Sequence, residues 1–304
     1  MVDKMAVEIP FQKTLEFEYG QVDELSPQVR RVIANNPSPF TFYGTGTYIV
    51  GHGTVAVIDP GPADPEHINA ILSATKGEII SHLFVTHTHI DHSPGCALLQ
   101  QHTDAISCAL GSHGLGRARD ECEFGADWEF TPDRILKDQE IVAAGDWSLS
   151  CVYSPGHAAN HLSYWLESDN ALFCGDAVMG WSTTIVSPPD GNMKDYMQTL
   201  QRFSARDDRI YYPTHGAPIK DPQTYVQALI DHRIERENQV IDCVRAGVNS
   251  LDRMLPEVYS DLDKSMYPAA AQSLLATIVC LLEQGRLQVD GEVQNDSILT
   301  LGSE

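Results

Sequence analysis

Apolar positions in the first two hundred residues fall mostly in short blocks. Thr47 to Val50 and Val55 to Ile58 are β-rich runs flanking Gly51-His52-Gly53, which predicts a hairpin ending in the turn Asp59-Pro60-Gly61. Pro65 opens a helical pattern through Thr75, and Ile79 to Val85 is a nearly continuous apolar run of the kind that forms a strand buried on both faces. Further strands are expected at Ala105 to Leu110, Ser150 to Tyr153, Leu162 to Leu166, Ala171 to Cys174 and Ile210 to Tyr212, with helices near Gly95 to Gln101 and Asp195 to Ala205. That mixed order fits either a two-sheet α/β sandwich or a doubly wound sheet.

Beyond His215 the pattern changes. Pro222 starts a long polar-amphipathic helical segment to about Ala246, followed by shorter ones near Leu251 to Val258 and Ala269 to Gln284. Arg286 to Val289, the Asp290-Gly291 turn and Val293 to Leu301 read as a β-hairpin. Helix-helix-helix-hairpin is the pattern of a small winged-helix unit, so two domains are expected, 1–219 and 220–304.

Composition bounds the function. At 42% hydrophobic and 20% charged the chain is globular, and 20 Lys+Arg against 42 Asp+Glu give a net charge of −22 that argues against attraction to a nucleic-acid backbone. Seven cysteines (Cys96, Cys108, Cys122, Cys151, Cys174, Cys243, Cys280) are scattered and never spaced C-x-x-C, so reduced, mostly buried thiols are expected. The first twenty residues lack the apolar run of a signal peptide, and no later stretch approaches the roughly 20 consecutive apolar residues of a membrane span. The expectation is a cytoplasmic protein with no membrane partner.

The chemistry concentrates after the buried strand, where the chain reads Thr86-His87-Thr88-His89-Ile90-Asp91-His92. Three imidazoles and a carboxylate within six residues suit a metal centre, since neutral imidazole is a good zinc ligand. If the segment is extended, His87, His89 and Asp91 share one side and His92 points toward a second centre. Three later residues extend the constellation, each following an expected strand and adjoining a glycine: His157 in Pro155-Gly156-His157, Asp176 in Gly175-Asp176, and His215 in Thr214-His215-Gly216.

In this order, H-x-H-x-D-H, Gly-His, Gly-Asp and Thr-His-Gly resemble the metallo-β-lactamase-fold hydrolases over residues 40 to 219. Within that superfamily, Asn36-Pro37-Ser38-Pro39-Phe40, Gly44-Thr45-Gly46-Thr47-Tyr48 and Ile58-Asp59-Pro60-Gly61 resemble the beta-lactamase-like protein 2 group, which also carries a C-terminal winged helix. Gly46 stands where that group usually has Asn. The resemblance implies a four-layer αββα sandwich with two metal ions at one edge. His87, His89 and His157 would hold one, Asp91, His92 and His215 the other, and Asp176 would bridge them. Zinc is the leading expectation, with iron or manganese tolerated by the same donors. A water shared by two cations ionises near neutral pH, which defines a hydrolase. Asp91 and Asp176 are the expected catalytic carboxylates, Asp91 orienting the hydroxide.

Two functions follow from this reading. The first is hydrolysis of a small ester, thioester or lactone. The second is single-strand endoribonuclease activity, which the beta-lactamase-like protein 2 resemblance brings in. Residues 220 to 304 weigh against the second, with 7 Lys+Arg and 14 Asp+Glu where a nucleic-acid-binding winged helix shows a basic face. That unit is expected instead to pack over the active-site rim or to form a homodimer contact. Only 38 residues separate Asp176 from His215, too few for the extra domain of cleavage-factor nucleases. Asp59 is expected to tie the loop beneath the metals by hydrogen bonds, and His161 to be a packed or hydrogen-bonded histidine. Trp181, Thr183, Thr184, Pro188, Pro189 and Met193 are expected to form one pocket wall.

Overall fold

The computed structural model of the protein describes residues 7–117, 125–291 and 293–302, so Cys122 lies outside the described residues. The first sheet has seven strands in spatial order β1 (Val22–Glu24), β2 (Val29–Ile33), β3 (Gly46–Val50), β4 (Thr54–Ile58), β5 (Ile79–Phe84), β6 (Ile106–Ala109) and β7 (Arg134–Ile135). The second has five: β8 (Ile141–Ala144), β9 (Trp147–Tyr153), β10 (Leu162–Leu166), β11 (Ala171–Gly175) and β12 (Ile210–Pro213), ordered β12-β11-β10-β9-β8. Two separate sheets settle the choice in favour of the sandwich.

The parallel pairs dictate where the helices lie. A parallel pair needs a crossover, and β4/β5, β5/β6 and β11/β12 are parallel. Their crossovers contain α1 (Pro65–Ala74), α2 (Gly95–Leu99) and α3 (Met193–Ser204). The first two cover the outer face of the first sheet, where Ile68, Ile71 and Leu99 bury Val55, Val57 and Leu83. On the second sheet, Tyr196, Leu200 and Phe203 of α3 cover Leu172 and Tyr211. Between the sheets Tyr48, Ile58 and Phe84 interdigitate with Leu149, Tyr164, Phe173 and Tyr212. Each such side chain stabilises the fold by about 1.5–3 kcal/mol.

The C-terminal region contains α4 (Pro222–Arg245), α5 (Leu251–Val258) and α6 (Tyr267–Glu283), then an antiparallel pair β13 (Leu287–Val289) and β14 (Leu299–Leu301). Its own core joins Val240, Met254, Leu274, Ile278 and Leu287. The first half of α4 packs elsewhere: Tyr225, Val226 and Leu229 complete the outer layer beside α3. The expected boundary at residue 219 therefore precedes a helix that serves both cores.

Several expectations change. Strands β1, β2, β7 and β8 lie outside the runs read from sequence. Ile79 at the start of β5 is 66% exposed and Ser81 and His82 are half-buried, so that strand is fully buried only at Ile80, Leu83 and Phe84. The final hairpin pairs Val289 with Leu299, which makes its connection 290–298 rather than a two-residue turn. Lys264–Glu283 is long and apolar enough, by length and composition, to cross a membrane, contrary to the expectation for the sequence. In this fold Leu274, Ile278 and Leu281 of that helix pack into the C-terminal core, and Ala276 and Cys280 pack against the second sheet's outer layer.

Candidate metal centre

Loops following β4, β5, β9, β11 and β12 meet at one edge of the sandwich and bring the seven histidine and aspartate residues together. Three groups of ligand atoms form, each with all atoms within 4.8 Å of one another: His87, His89 and His157; Asp91, His92 and His215; and His87, His92 and Asp176. His87 Nε2 lies 2.9 Å and His157 Nε2 3.1 Å from His89 Nδ1. Ligand atoms on one tetrahedral zinc, at bonds of about 2.0–2.1 Å, stand about 3.3 Å apart, so these nitrogens have the spacing of a shared ion. In the second group Asp91 Oδ2 is 3.4 Å from His92 Nε2 and 3.2 Å from His215 Nε2. Asp176 Oδ2 sits between the groups, 3.7 Å from His92 Nε2, 3.8 Å from His157 Nε2 and 3.5 Å from His215 Nε2.

The extended-strand picture of His87-to-His92 does not hold. After Phe84 the chain bends, and His92 and Ser93 donate their N–H groups to the carbonyl of His89. That turn swings Asp91 to the side of His92 instead of leaving it beside His87 and His89.

The surroundings fix which ring nitrogen faces inward. His157 Nδ1 donates to the Ile185 carbonyl at 2.7 Å, His215 Nδ1 to the Gly44 carbonyl at 3.2 Å, and His92 Nδ1 to Asp59 Oδ2 at 3.0 Å. His87 Nδ1 donates to Thr86 Oγ1 at 3.1 Å, whose own hydroxyl donates to Asp59 Oδ2. A proton on Nδ1 leaves the Nε2 lone pair for a cation. His92 Nε2 and Asp176 Oδ1 are buried without a hydrogen-bond partner, a costly arrangement in a low-dielectric edge unless a cation takes both. Imidazole and carboxylate donors with no thiolate fit divalent zinc, iron or manganese.

Electrostatics divides the cluster. Burial, reinforced by His92, His89 and His157, holds His87 well below the usual histidine range, so it is a neutral donor. Burial also disfavours charge on His215, but Asp176 and Asp91 override it and push that ring up to about 10. His92 is raised likewise, against burial, by Asp91, Asp176 and Asp59. Burial works against ionised Asp176, yet His215 and His92 hold it well below the carboxylate range. In the metal-free chain these carboxylates draw protons onto His92 and His215, and a cation must displace them, so metal affinity rises with pH.

Asp59 is buried beneath this assembly and accepts from the Thr86 N–H, Thr86 Oγ1, Thr214 Oγ1 and His92 Nδ1. His161 is more than packing: its Nε2 accepts the Asp176 backbone N–H at 3.2 Å, and burial pushes the ring down to about 3, keeping it neutral. Gly46 donates its N–H to the Thr214 carbonyl, and a Cβ there would stand 3.1 Å from that oxygen. The expected single pocket wall divides. Trp181 and Thr183 line a cleft of about 610 Å³, whereas Pro188, Pro189 and Met193 line a separate pocket of about 220 Å³. Thr184 is buried and donates to the Asp176 carbonyl. The supports that sequence reasoning missed are the carbonyls of Gly44 and Ile185, because a backbone oxygen carries no residue-type signal.

Gly156 sets the approach of His157. Its φ is +133°, and a Cβ there would lie 2.3 Å from the Tyr196 Cα. Gly156→Ala is expected to lower stability by about 2 kcal/mol or more, because α3 must move away from the loop. Thermal unfolding in chelator measures this, and an unchanged unfolding temperature contradicts it.

Residues 41–215 match the family model of the metallo-beta-lactamase superfamily. A beta-lactamase-like protein 2 homolog of Caenorhabditis elegans is 30% identical over 270 residues, covering 87% of each chain. An atrochrysone carboxyl ACP thioesterase of Aspergillus fumigatus is 32% identical over 227 residues, covering 73% of this chain and 66% of the relative. Among solved structures, a beta-lactamase domain protein from Burkholderia ambifaria superposes with a TM-score of 0.77 at 20% identity, over 97% of each chain, which establishes the likeness of fold.

Proposed function

The chain belongs to the metallo-beta-lactamase superfamily and is a hydrolase of that superfamily, and from that premise we propose that it cleaves a small ester, thioester or lactone with two zinc ions. The observation that carries this reading is the position of Asp176 Oδ2, within 3.8 Å of nitrogens from both ligand groups. Divalent cations bound there supply Lewis-acid polarisation of the scissile carbonyl and an ionised water at neutral pH. The protein's part is placement. Asp91, whose side chain is 22% exposed, is the ligand-group carboxylate open to solvent, so it orients the attacking water and passes a proton to the leaving group.

The acyl reading is favoured over ribonuclease activity by two facts. A relative matching 73% of this chain is named a thioesterase, and the net charge of −22 opposes docking of RNA. The test is elemental analysis of the purified chain followed by parallel assays on acyl esters, thioesters, lactones and single-stranded RNA. Two metal equivalents with acyl turnover are expected. RNA cleavage with no acyl turnover would overturn the proposal.

A further inference from the structure

The 610 Å³ cleft beside the metal centre lies between the loop that follows Asp176 and the helices α4 to α6. Its inner wall contains an arrangement that the fold alone does not require. Arg233 is 4% exposed, and among the described residues it has no carboxylate partner. One guanidinium nitrogen donates to the Thr184 carbonyl, the plane lies over the Tyr196 ring at 5.2 Å, and Nε has no hydrogen-bond partner. One turn along, Arg236 donates to the Val258 carbonyl and to Gln239, lies 4.8 Å over the Tyr259 ring, and also leaves Nε unpartnered. His232 Nδ1 is a third unpartnered buried nitrogen, and burial together with the two arginines pushes that ring down to about 3. Leaving buried donors unmatched is costly, and more so for charged groups, so a ligand that supplies acceptors is favoured here.

We propose that this cleft binds an anionic group of the substrate, a carboxylate or phosphate whose oxygens take the free donors of Arg233 and Arg236, and so selects acyl substrates that carry one. The inference rests on the acyl-hydrolase reading above and names the substrate class. Position supports it. Thr184, which Arg233 holds, donates to the Asp176 carbonyl, and the carbonyl of Ile185, a residue lining the cleft, fixes His157, so one wall of the cleft adjoins the metal ligands. Guanidinium offers carboxylate or phosphate a planar pair of donors, and the stacking on Tyr196 and Tyr259 holds both groups in place before binding. The carboxylates that line the cleft, Glu8, Glu257 and Asp261, are exposed, while Glu235 accepts the Val7 N–H. The exposed rim is thus acidic and the buried wall cationic, which draws the anion to one end of the cleft.

The anion has two chemical sources, an acyl chain ending in a carboxylate or a phosphate on the leaving thiol. The zinc-loaded full chain is assayed on two matched pairs: butyryl and succinyl thioesters of N-acetylcysteamine, and acetyl thioesters of pantetheine and pantetheine 4′-phosphate. In at least one pair kcat/KM is expected to favour the anionic member by about tenfold or more, the contribution of one charge-assisted hydrogen bond. Arg233→Met and Arg236→Gln should each bring that ratio toward one, and Arg233→Lys should restore part of it. Preference in the succinyl pair places the anion on the acyl part, and preference in the phosphate pair places it on the leaving thiol. If the variants lower both members in proportion, Arg233 only props Thr184 and the proposal falls. Should none of these substrates turn over, calorimetric titration of the same zinc-loaded chain with succinate and pantetheine 4′-phosphate decides. Binding weakened about tenfold by Arg236→Gln sustains the cleft while the acyl-hydrolase reading fails, and no binding of either anion, or binding indifferent to Arg236→Gln, overturns the cleft itself.

Discussion

Replacing Asp176 with alanine is expected to reduce kcat/KM by on the order of 10³-fold or more, since polarisation by the proposed pair of cations would contribute several kcal/mol and each 1.36 kcal/mol is tenfold. The geometry explains why no neighbour substitutes for it. Asp176 Oδ2 lies within 3.8 Å of His92, His157 and His215, whereas Asp91 Oδ2 reaches only His92 and His215. Without Asp176 the His87, His89 and His157 group has three imidazoles and no carboxylate, and the other group has one carboxylate. The variant should therefore retain less metal as well as less activity. Its effect on the bare fold is a separate quantity with two opposing parts: truncation removes the unpartnered buried Oδ1, but it also removes the carboxylate that faces the His92 and His215 rings in the metal-free chain. Elemental analysis, kinetics and unfolding in chelator separate these effects. A variant with full metal content and wild-type turnover would contradict the assignment, and one that unfolds before losing metal would make Asp176 structural.

The legible part of this protein is the part where side-chain type alone decides the outcome. Leu162–Leu166 and Ala171–Gly175 are apolar along most of their length and lie in the middle of the second sheet, so their sequence signal survives. Val22–Glu24, Arg134–Ile135 and Ile141–Ala144 belong to strands β1, β7 and β8 at the sheet edges, where burial is partial and the pattern fades. Strand β2 fails for another reason: Arg31 is 2% exposed, and only the folded chain shows Asp23 and the Gly216 carbonyl meeting it. The H-x-H-x-D-H run is conspicuous because imidazoles are uncommon, yet its turn at His89 depends on backbone hydrogen bonds that residue identity does not reveal. Arg233 and Arg236 sit in the run His232-Arg233-Ile234-Glu235-Arg236-Glu237, which reads as a solvated helix face. Arg233 is covered where α4 meets the loop after Asp176, and Arg236 where it meets the end of α5 at Val258 and Tyr259, contacts outside the reach of local pattern.

Asp59→Ala should be among the most destabilising substitutions in the chain although Asp59 belongs to none of the ligand groups. Its carboxylate accepts the Thr86 N–H at 2.7 Å, Thr86 Oγ1 at 2.8 Å, Thr214 Oγ1 at 2.9 Å and His92 Nδ1 at 3.0 Å, all buried. Thr86 leads into His87 and Thr214 precedes His215, so one side chain ties the three loops after β4, β5 and β12. Truncation leaves these donors without acceptors, a cost of about 3–5 kcal/mol. The φ of +48° at this position adds strain for alanine, which lacks the local hydrogen bonding that lets aspartate adopt it. An unfolding temperature lower by on the order of 10 °C in chelator is the expected readout. A second effect concerns the metals. With no acceptor on His92 Nδ1 the ring loses its fixed tautomer and orientation, and loss of such an outer partner weakens metal affinity about 10–100-fold. On the proposed two-ion reading the weakening should fall chiefly on the ion shared by Asp91, His92 and His215, because Asp59 meets His92 directly and reaches the other group only through Thr86 and His87. Asp59→Asn separates the two effects. It keeps one oxygen for the Thr86 N–H but turns an amide donor toward the remaining donors, so it should recover part of the stability while the second ion stays weakly held. Retention of both ions by Asp59→Asn with wild-type affinity would show that Asp59 braces the loops without tuning the metal site.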